Sequence, residues 1–202
     1  LYLWPTGVMG IPLLVDPLVM YWNRTILADE QVPFPPSHWD EFFELSPQLS
    51  RQDVSRNILR STVAMGEYGN IANAKEIIVS LLLQSGNPIV ANENGRLSSA
   101  LISNSGANRR PADDVLRYYT EFSNPVKSVY SWNRALPEAR QAFLAGDLAF
   151  YFGFASEYEE LRAINPNLNF DVSLIPQPSQ NGLKTTFANI DGYAIAAGGR
   201  NR

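Results

Sequence analysis

The run from Leu148 to Gly153 is the feature that most limits how this chain can fold, because its six residues are uncharged and largely apolar. The residues before it, Pro137 to Ala145, follow a helical pattern that starts with a proline at a favourable first position. The charged segment after it is predicted to be another helix, capped by Ser156 with Glu159. A buried strand between two helices is typical of the α/β class.

The same alternation continues through the rest of the chain. An apolar run at 13–22 predicts a strand with Pro17 at an edge or crossover, and Ser37 with Asp40 predicts a capped helix start. Turn residues around Asn94-Gly95 predict a short hairpin. Further strands are expected at 62–65, 171–175 and 190–197, and further helices at 71–85 and 113–122.

Composition excludes several kinds of protein. The chain has 45% hydrophobic and 18% charged residues, which is typical of a globular domain. It has no cysteine and one histidine, His38, so thiol chemistry, disulfides and cysteine zinc sites are excluded, and we expect no cofactor and no metal site. A net charge of −4 without a basic run makes nucleic-acid binding the least expected function. The longest apolar run, Ile77 to Leu83, is far below the roughly 20 residues of a membrane-spanning helix.

Two predicted strands end in glycine just before a helix. Met65 leads into Gly66-Glu67-Tyr68-Gly69-Asn70, and Phe152 leads into Gly153-Phe154-Ala155-Ser156. Ligands of α/β sheets bind beyond the carboxyl ends of strands, and aromatic faces beside hydrogen-bonding groups suit sugars. A third cluster around Trp132 and Asn133 repeats the mixture, and we expect Trp132 to be exposed at a rim. The alternative, that these glycines and aromatic residues only complete turns and a core, stays open.

Several segments, in this order, resemble the family 1 extracellular solute-binding proteins of ABC importers, the maltose-binding-like group. The resemblance covers about Gly10 to Gly198. No single motif in it is catalytic, so its specificity comes from the order of several loose patterns. The segments are VDPLVMYWNR at 15–24, PPSHWDEFFEL at 35–45, AFLAGDLAFYFGFASEY at 142–158 and NPNLNFDVSLIPQP at 165–178.

The resemblance implies a three-layer lobe of a type 2 periplasmic-binding-protein clamp, with helices packed on a central mixed sheet. Residues 1–24 would be the crossover that enters the lobe, 25–189 the C-terminal α/β lobe, and 190–202 the return crossover and a truncated end. The N-terminal lobe and the closing helices of the family would then be missing, so one lobe offers half a site. The residues expected to face ligand are Asp16, Glu67, Tyr68, Asn70, Trp132, Asn133, Phe152, Phe154 and Asp191.

The function implied is capture of an extracellular solute, with a sugar or oligosaccharide expected, for an ABC permease. The chain would be extracellular or periplasmic, with an anchor through a preceding segment left open, and its crossover strands would allow two copies to pair. Three alternatives remain: a clamp for an amino acid, polyamine or metal, a glycoside-acting enzyme using Asp16, Glu67 and Asp191, and an interaction module. The Tyr118-Tyr119 pair raises the metal reading, but adjacent side chains of a helix point in different directions, which favours core packing for Tyr119 and exposure for Tyr118.

Overall fold

The computed structural model describes residues 3–4, 7–93, 95–101, 111–179 and 182–195. The strands are β1 Leu3–Trp4, β2 Gly7–Val8, β3 Ile11–Asn23, β4 Arg51–Gln52, β5 Ile58–Val63, β6 Val90–Glu93, β7 Arg96–Ser99, β8 Leu148–Phe154, β9 Phe170–Leu174 and β10 Ala188–Tyr193. The helices are α1 Arg24–Asp29, α2 Phe42–Leu49, α3 Ala74–Gln84, α4 Pro111–Glu121, α5 Ala139–Ala145 and α6 Tyr158–Ile164. Two 3₁₀ turns, Trp39–Glu41 and Ala155–Glu157, precede α2 and α6.

A central mixed sheet organises these elements, which confirms the predicted α/β class. Its strand order is β10-β3-β8-β5-β4, and β9 also pairs with β3. Strands β5 and β8 are parallel, whereas β3 runs antiparallel to β8, β9 and β10. The thirteen residues of β3 divide their pairing, because residues 11–17 pair with β10 and residues 18–23 pair with β8 and β9.

The uncharged run is a buried strand, as predicted. Every residue from Leu148 to Gly153 is buried in β8, and the parallel neighbour β5 and the antiparallel neighbour β3 enclose it. Helix α5 ends at Gly146, whose φ of 85° is the left-handed conformation that favours glycine. The helix begins at Ala139 rather than Pro137, because the side chain of Glu138 caps it by accepting from the Arg140 N–H at 2.9 Å.

Aromatic rings fill the space between the sheet and its helices. The ring of Phe42 lies 5.5 Å from that of Phe150 in an edge-to-face contact, and Trp39 lies 5.5 Å from Phe152. Edge-to-face pairs of this kind contribute beyond their buried area. The Trp39 indole N–H donates to Gln84 at 2.6 Å, so its polar group is satisfied inside the core. Helices α2 and α3 are thereby fixed against the sheet.

Two predicted helix caps use different residues from those expected. Glu41, rather than Asp40, caps the turn that leads into α2, because its carboxylate accepts from the backbone N–H groups of Ser37 at 3.1 Å and His38 at 2.8 Å. A 3₁₀ turn at each start places the third residue of the turn within reach of the preceding N–H. For the same reason Glu157, rather than Ser156 with Glu159, caps the turn that leads into α6, where its carboxylate accepts from the Phe154 N–H.

Other boundaries shift by one to four residues. The predicted hairpin is present as β6 and β7, with Asn94 itself outside the described residues. The strand expected at 190–197 begins at Ala188, and its last two positions lie outside the described residues.

Within the described ranges no helix combines the length and hydropathy that a membrane span requires. The same ranges contain no cluster of three histidine, aspartate or glutamate side chains arranged for a metal ion.

Alkaline pH should unfold the protein through its buried tyrosines. Burial raises the pKa values of Tyr21, Tyr119 and Tyr151 above the ordinary value of 10.0. The native state therefore holds more protons than the unfolded chain above about pH 10, and the free energy of unfolding falls as pH rises. We expect part of the tyrosinate absorbance to appear together with the loss of near-ultraviolet circular dichroism. Smooth ionisation of all nine tyrosines with the dichroism intact would contradict this.

Candidate functional site

The carboxyl ends of β5 and β8 meet at one edge of the sheet. The two strands pair in parallel, with Ser61 opposite Leu148 and Val63 opposite Phe150. The antiparallel strand β3 brings Leu18 opposite Phe154 at the same edge. We call residues 16–18, 64–73 and 154–157 the site edge. The structure thus brings the two glycine-containing strand ends to the same edge of the sheet.

The loop after β5 is held by hydrogen bonds from α4 and from the turn after α4. The Tyr119 hydroxyl donates to the Glu67 carbonyl at 2.7 Å, and the Ser123 hydroxyl donates to the Gly66 carbonyl at 3.0 Å. Gly66 has a φ of 96°, and a Cβ there would lie 2.7 Å from the Ser123 backbone nitrogen. Only glycine fits this close approach. The anchored loop presents Tyr68 to solvent with 71% of its surface exposed.

Glu67, which precedes Tyr68 in the sequence, forms an ion pair with Arg134. The Arg134 Nε lies 2.7 Å from the Glu67 Oε2, and the Arg134 side chain is 86% exposed. The hydrogen bond to Glu67 raises the pKa of the Arg134 guanidinium. Its terminal nitrogens donate no hydrogen bond within the described part of the chain. Arg134 was not among the predicted site residues, although it lies in the predicted cluster with Trp132 and Asn133.

Trp132 is fully buried, so the expectation that it is exposed at a rim is wrong. Its indole N–H donates to the Asn70 Oδ1 at 3.1 Å. The Asn70 amide in turn donates to the carbonyls of Asn133 at 2.9 Å and Leu136 at 3.0 Å. Trp132 has polar neighbours in the sequence, but a single asparagine satisfies its indole N–H and the fold covers its ring. These contacts join the Tyr68 loop to the segment before α5.

The turn after β8 is organised by Glu157. Its carboxylate accepts from the Phe154 N–H at 2.7 Å and from the Tyr151 hydroxyl at 2.8 Å, and it lies 3.2 Å from the Arg140 guanidinium. A Cβ on Gly153 would lie 2.7 Å from the same carboxylate, so glycine allows the turn to close. Phe154 is half-buried, and its ring meets that of Phe187 at 6.2 Å.

Asp16 and Asn73 hold the site edge together. Asp16 accepts from the Ser156 N–H at 2.9 Å and from the Ser156 hydroxyl at 2.6 Å. The Asn73 amide donates to the Phe152 carbonyl at 3.0 Å, which links the loop after β5 directly to β8. Ser156, expected as a helix cap, is therefore a partner of Asp16 across the sheet.

The predicted site residues thus fall into three groups. Those at the site edge with surface still accessible are Asp16, Glu67, Tyr68 and Phe154. Those whose side chains serve the fold are Asn70, Asn133, Trp132 and Phe152, of which the last two are buried. Asp191 lies apart on β10, opposite Leu14, on an exposed part of the strand pair.

The tyrosine pair in α4 does not form a joint site. The Tyr118 hydroxyl donates to the Trp39 carbonyl at 2.7 Å, whereas the Tyr119 hydroxyl donates to the Glu67 carbonyl. Tyr119 packs in the core as expected. Tyr118, which we expected to be exposed, is half-buried against Trp39 and Phe43.

The fold is a mixed sheet with helices packed on it and a polar and aromatic edge, and similarity to known proteins identifies its class. A family model described as bacterial extracellular solute-binding protein matches residues 2–202. The chain therefore belongs to this family of binding proteins. None of the curated proteins matches the sequence.

Among solved structures, the chain is similar to a cyclo/maltodextrin-binding protein complexed with maltotetraose. The TM-score is 0.66 and the sequence identity is 14%. The match covers 96% of this chain and 45% of that protein, so the chain spans less than half of its length. At this identity the likeness shows the fold, and it supports the predicted maltose-binding-like lobe.

The close approach at Gly66 leads to a prediction about stability. Gly66→Ala forces a side chain into the left-handed region and against the Ser123 backbone, so it should lower the free energy of unfolding by about 2–3 kcal/mol. Gly69→Ala is the matched control, because a Cβ there meets nothing within 4 Å. Urea denaturation should separate the two variants. Equal midpoints for both would show that the loop yields at Gly66.

Proposed function

We propose that this chain is the sugar-binding lobe of the substrate-binding component of an ABC-type importer. It captures an extracellular or periplasmic sugar or oligosaccharide at the site edge and delivers it to a membrane permease. The observation that carries the proposal is the exposed ring of Tyr68, held by an anchored loop at the edge where β5 and β8 end. An anchor to the membrane would be supplied by a segment that precedes this chain.

The chemistry of the site edge favours a sugar over a charged solute. The exposed tyrosine ring offers a face for the C–H side of a pyranose, and the Glu67–Arg134 pair offers both acceptors and donors for hydroxyls. Because the two charges compensate each other, the pair adds no net charge that would attract an ion. The name of the structurally similar protein, which binds a maltodextrin, supports the same class of ligand.

The non-sugar alternatives have less support. The carboxylates that a glycoside-acting enzyme would use lie in different surroundings. Asp16 accepts from Ser156 and Glu67 pairs with Arg134, whereas Asp191 lies on the exposed part of β10. Paired catalytic carboxylates must face one bond from both sides. An amino acid or polyamine would need charged groups free to meet its own charges, and binding measurements separate these cases.

A single lobe should bind weakly. The site edge is one wall, and a clamp gains affinity by closing a second wall over the ligand and excluding water. The chain spans 45% of the matched binding protein, so the second wall would come from another part of the complete protein. We therefore expect dissociation constants in the millimolar range for this chain alone.

The exposed part of the β3–β10 pair, at the edge of the sheet, is the proposed connection to that second part. Residues 11–15 of β3 are exposed, and Ile11, Leu13, Leu14 and Val15 are each at least 60% exposed. Successive residues of a strand face opposite sides, so both faces of this pair are apolar. Exposed apolar strands promote pairing with another chain. In the isolated chain we propose that two copies associate through this surface.

Replacing Tyr68 should remove sugar binding. In nuclear magnetic resonance titrations with maltose and maltotetraose at high millimolar concentration, shifts should map to residues 64–73 and 154–157. Tyr68→Ala should weaken binding about 10-fold or more, because a stacked ring contributes up to about 1.5 kcal/mol beyond its burial. Tyr68→Phe keeps the ring and should bind nearly as well.

Tyr193→Ala is the matched control, since Tyr193 is 74% exposed on β10 and Tyr68 is 71% exposed. Shifts that map away from the site edge, or a response to amino acids or spermidine instead of saccharides, would reject the sugar proposal. Hydrolysis of the oligosaccharide during the titration would favour the enzyme alternative.

Charge on the exposed strand pair should prevent self-association. Leu14→Lys places an ammonium on an apolar face, so sedimentation velocity should show this variant as a monomer while the original chain forms dimers at the same concentration. Leu59→Lys is the control, because Leu59 on β5 is 61% exposed and Leu14 is 63% exposed. A monomeric original chain would overturn the pairing proposal.

A further inference from the structure

A pocket lies at the end of the sheet opposite the site edge. It has a volume of about 360 Å³ and opens where β3 ends, where α5 passes into β8 and where α6 passes into β9. This volume is within the range of roughly 300–1,000 Å³ that ligand pockets occupy. Strand β8 separates the pocket from the site edge, and its seven residues extend for about 20 Å. A ligand at the site edge therefore cannot also fill this pocket.

Uncharged polar side chains dominate the lining. They are Asn23, Thr25, Asn165, Asn167 and Asn169, placed above an apolar part that includes Ile26 and Leu168. Amides and hydroxyls both donate and accept hydrogen bonds, which matches the two-way bonding of a sugar or polyol hydroxyl. The side-chain oxygens of Asn23 and Asn165 already accept backbone N–H groups. Within the described part of the chain, the Asn167 and Asn169 amides and the Thr25 hydroxyl are the lining groups left to donate and to accept, and an anion would leave their oxygens unused.

Asn23 supplies the feature that points to a ligand. It is only 3% exposed, and its Oδ1 is engaged by the N–H groups of Thr25 at 3.0 Å and Ile26 at 3.1 Å. Its Nδ2 donates to no other group in the described part of the chain, although Asn23 lines the pocket. This Nδ2 is not one of the fully buried unpartnered atoms of the described residues, so it keeps accessible surface at the pocket wall and can donate to an incoming acceptor.

The walls around Asn23 are held by other contacts. The Arg24 N–H donates to the Asn169 carbonyl at 2.9 Å, and the Asn165 amide donates to the Leu144 carbonyl at 2.8 Å. These bonds join the start of α1 to the start of β9, and the end of α6 to α5. The spacing of the amides across the pocket is therefore set by the fold before any ligand arrives.

The charges of the lining oppose an anionic ligand. Arg60 is committed elsewhere, because its Nη2 lies 2.5 Å from the Glu30 carboxylate and its Nε donates to the Leu49 carbonyl at 2.9 Å. The other charged residue of the lining is Asp29, an exposed carboxylate. The pocket therefore carries no excess of positive charge.

We propose that this pocket is a second solute site, which takes one small neutral polyol or monosaccharide through hydrogen bonds alone. None of its eleven lining residues is aromatic, so ring stacking of the kind proposed at Tyr68 is not available. The ligand is accordingly small, the binding is weak, and an oligosaccharide has no platform along which to extend. This site is separate from the sugar site of the proposed function and does not depend on it.

The test is a nuclear magnetic resonance titration of the full 202-residue chain with sorbitol, with glucose as a second probe. Saturable shifts should appear in the side-chain amides of Asn23, Asn167 and Asn169. Ala145→Leu fills the pocket from an exposed position of α5 without removing a hydrogen bond, and leucine suits a helix. It should abolish the shifts. Gln141→Leu, one turn earlier on the same exposed face, is the matched control and should leave them intact.

A second variant keeps the pocket open and removes one amide. Asn169→Ala should weaken sorbitol binding roughly 2- to 10-fold, the change that loss of one hydrogen bond produces. Tyr68→Ala should leave it unchanged, which separates this site from the one proposed above. Shifts that survive Ala145→Leu, shifts confined to the site edge, or no saturation at high millimolar sorbitol would each overturn the proposal. Stronger binding of inorganic sulfate at the same amides would also overturn it.

Discussion

Strand β3 is the constraint on which the rest of the structure depends. Its second half is the centre of the core, where Leu18, Met20 and Tyr21 are at most 1% exposed between β8 and β9. Each such side chain contributes about 1.5–3 kcal/mol through burial. Its first half leaves the core and pairs only with β10, so it remains exposed on both faces. One strand therefore both holds the lobe together and carries the exposed apolar surface that we propose as a connection to a second lobe or a second copy.

The site edge is rigid for a related reason. A binding edge made of loops is useful only when the loops are held, and here buried or half-buried polar groups hold them. Glu157 closes the turn after β8, Asp16 fixes that turn from β3, and Asn73 joins it to the loop after β5. Because their partners are in place without ligand, little ordering has to accompany binding. The exposed groups that remain, above all Tyr68, are those that a solute can meet.

Local patterns were sufficient for the elements but not for the details of the caps and the site. The uncharged run of β8, the periodic face of α3 and the turn residues of the β6–β7 hairpin each depend on neighbours in sequence, and the structure confirms them. Burial of Trp132 could not be read from its polar neighbours, because the group that satisfies its indole is Asn70, 62 residues away. The role of Ser156 also depends on a distant residue, because its partner Asp16 is 140 residues away in the sequence.

The sequence by itself determined the α/β class, the order of most elements and the two strand ends at which a ligand is expected, because these follow from periodicity, glycines and local charge. It did not indicate α1 and β4. Only the tertiary structure decided which side chains at those ends remain exposed. It also decided that the amides of Asn23 and Asn169 line one pocket. Both outcomes depend on pairs of residues far apart in the chain, whose contacts exist only after β3, β8 and β5 are packed side by side.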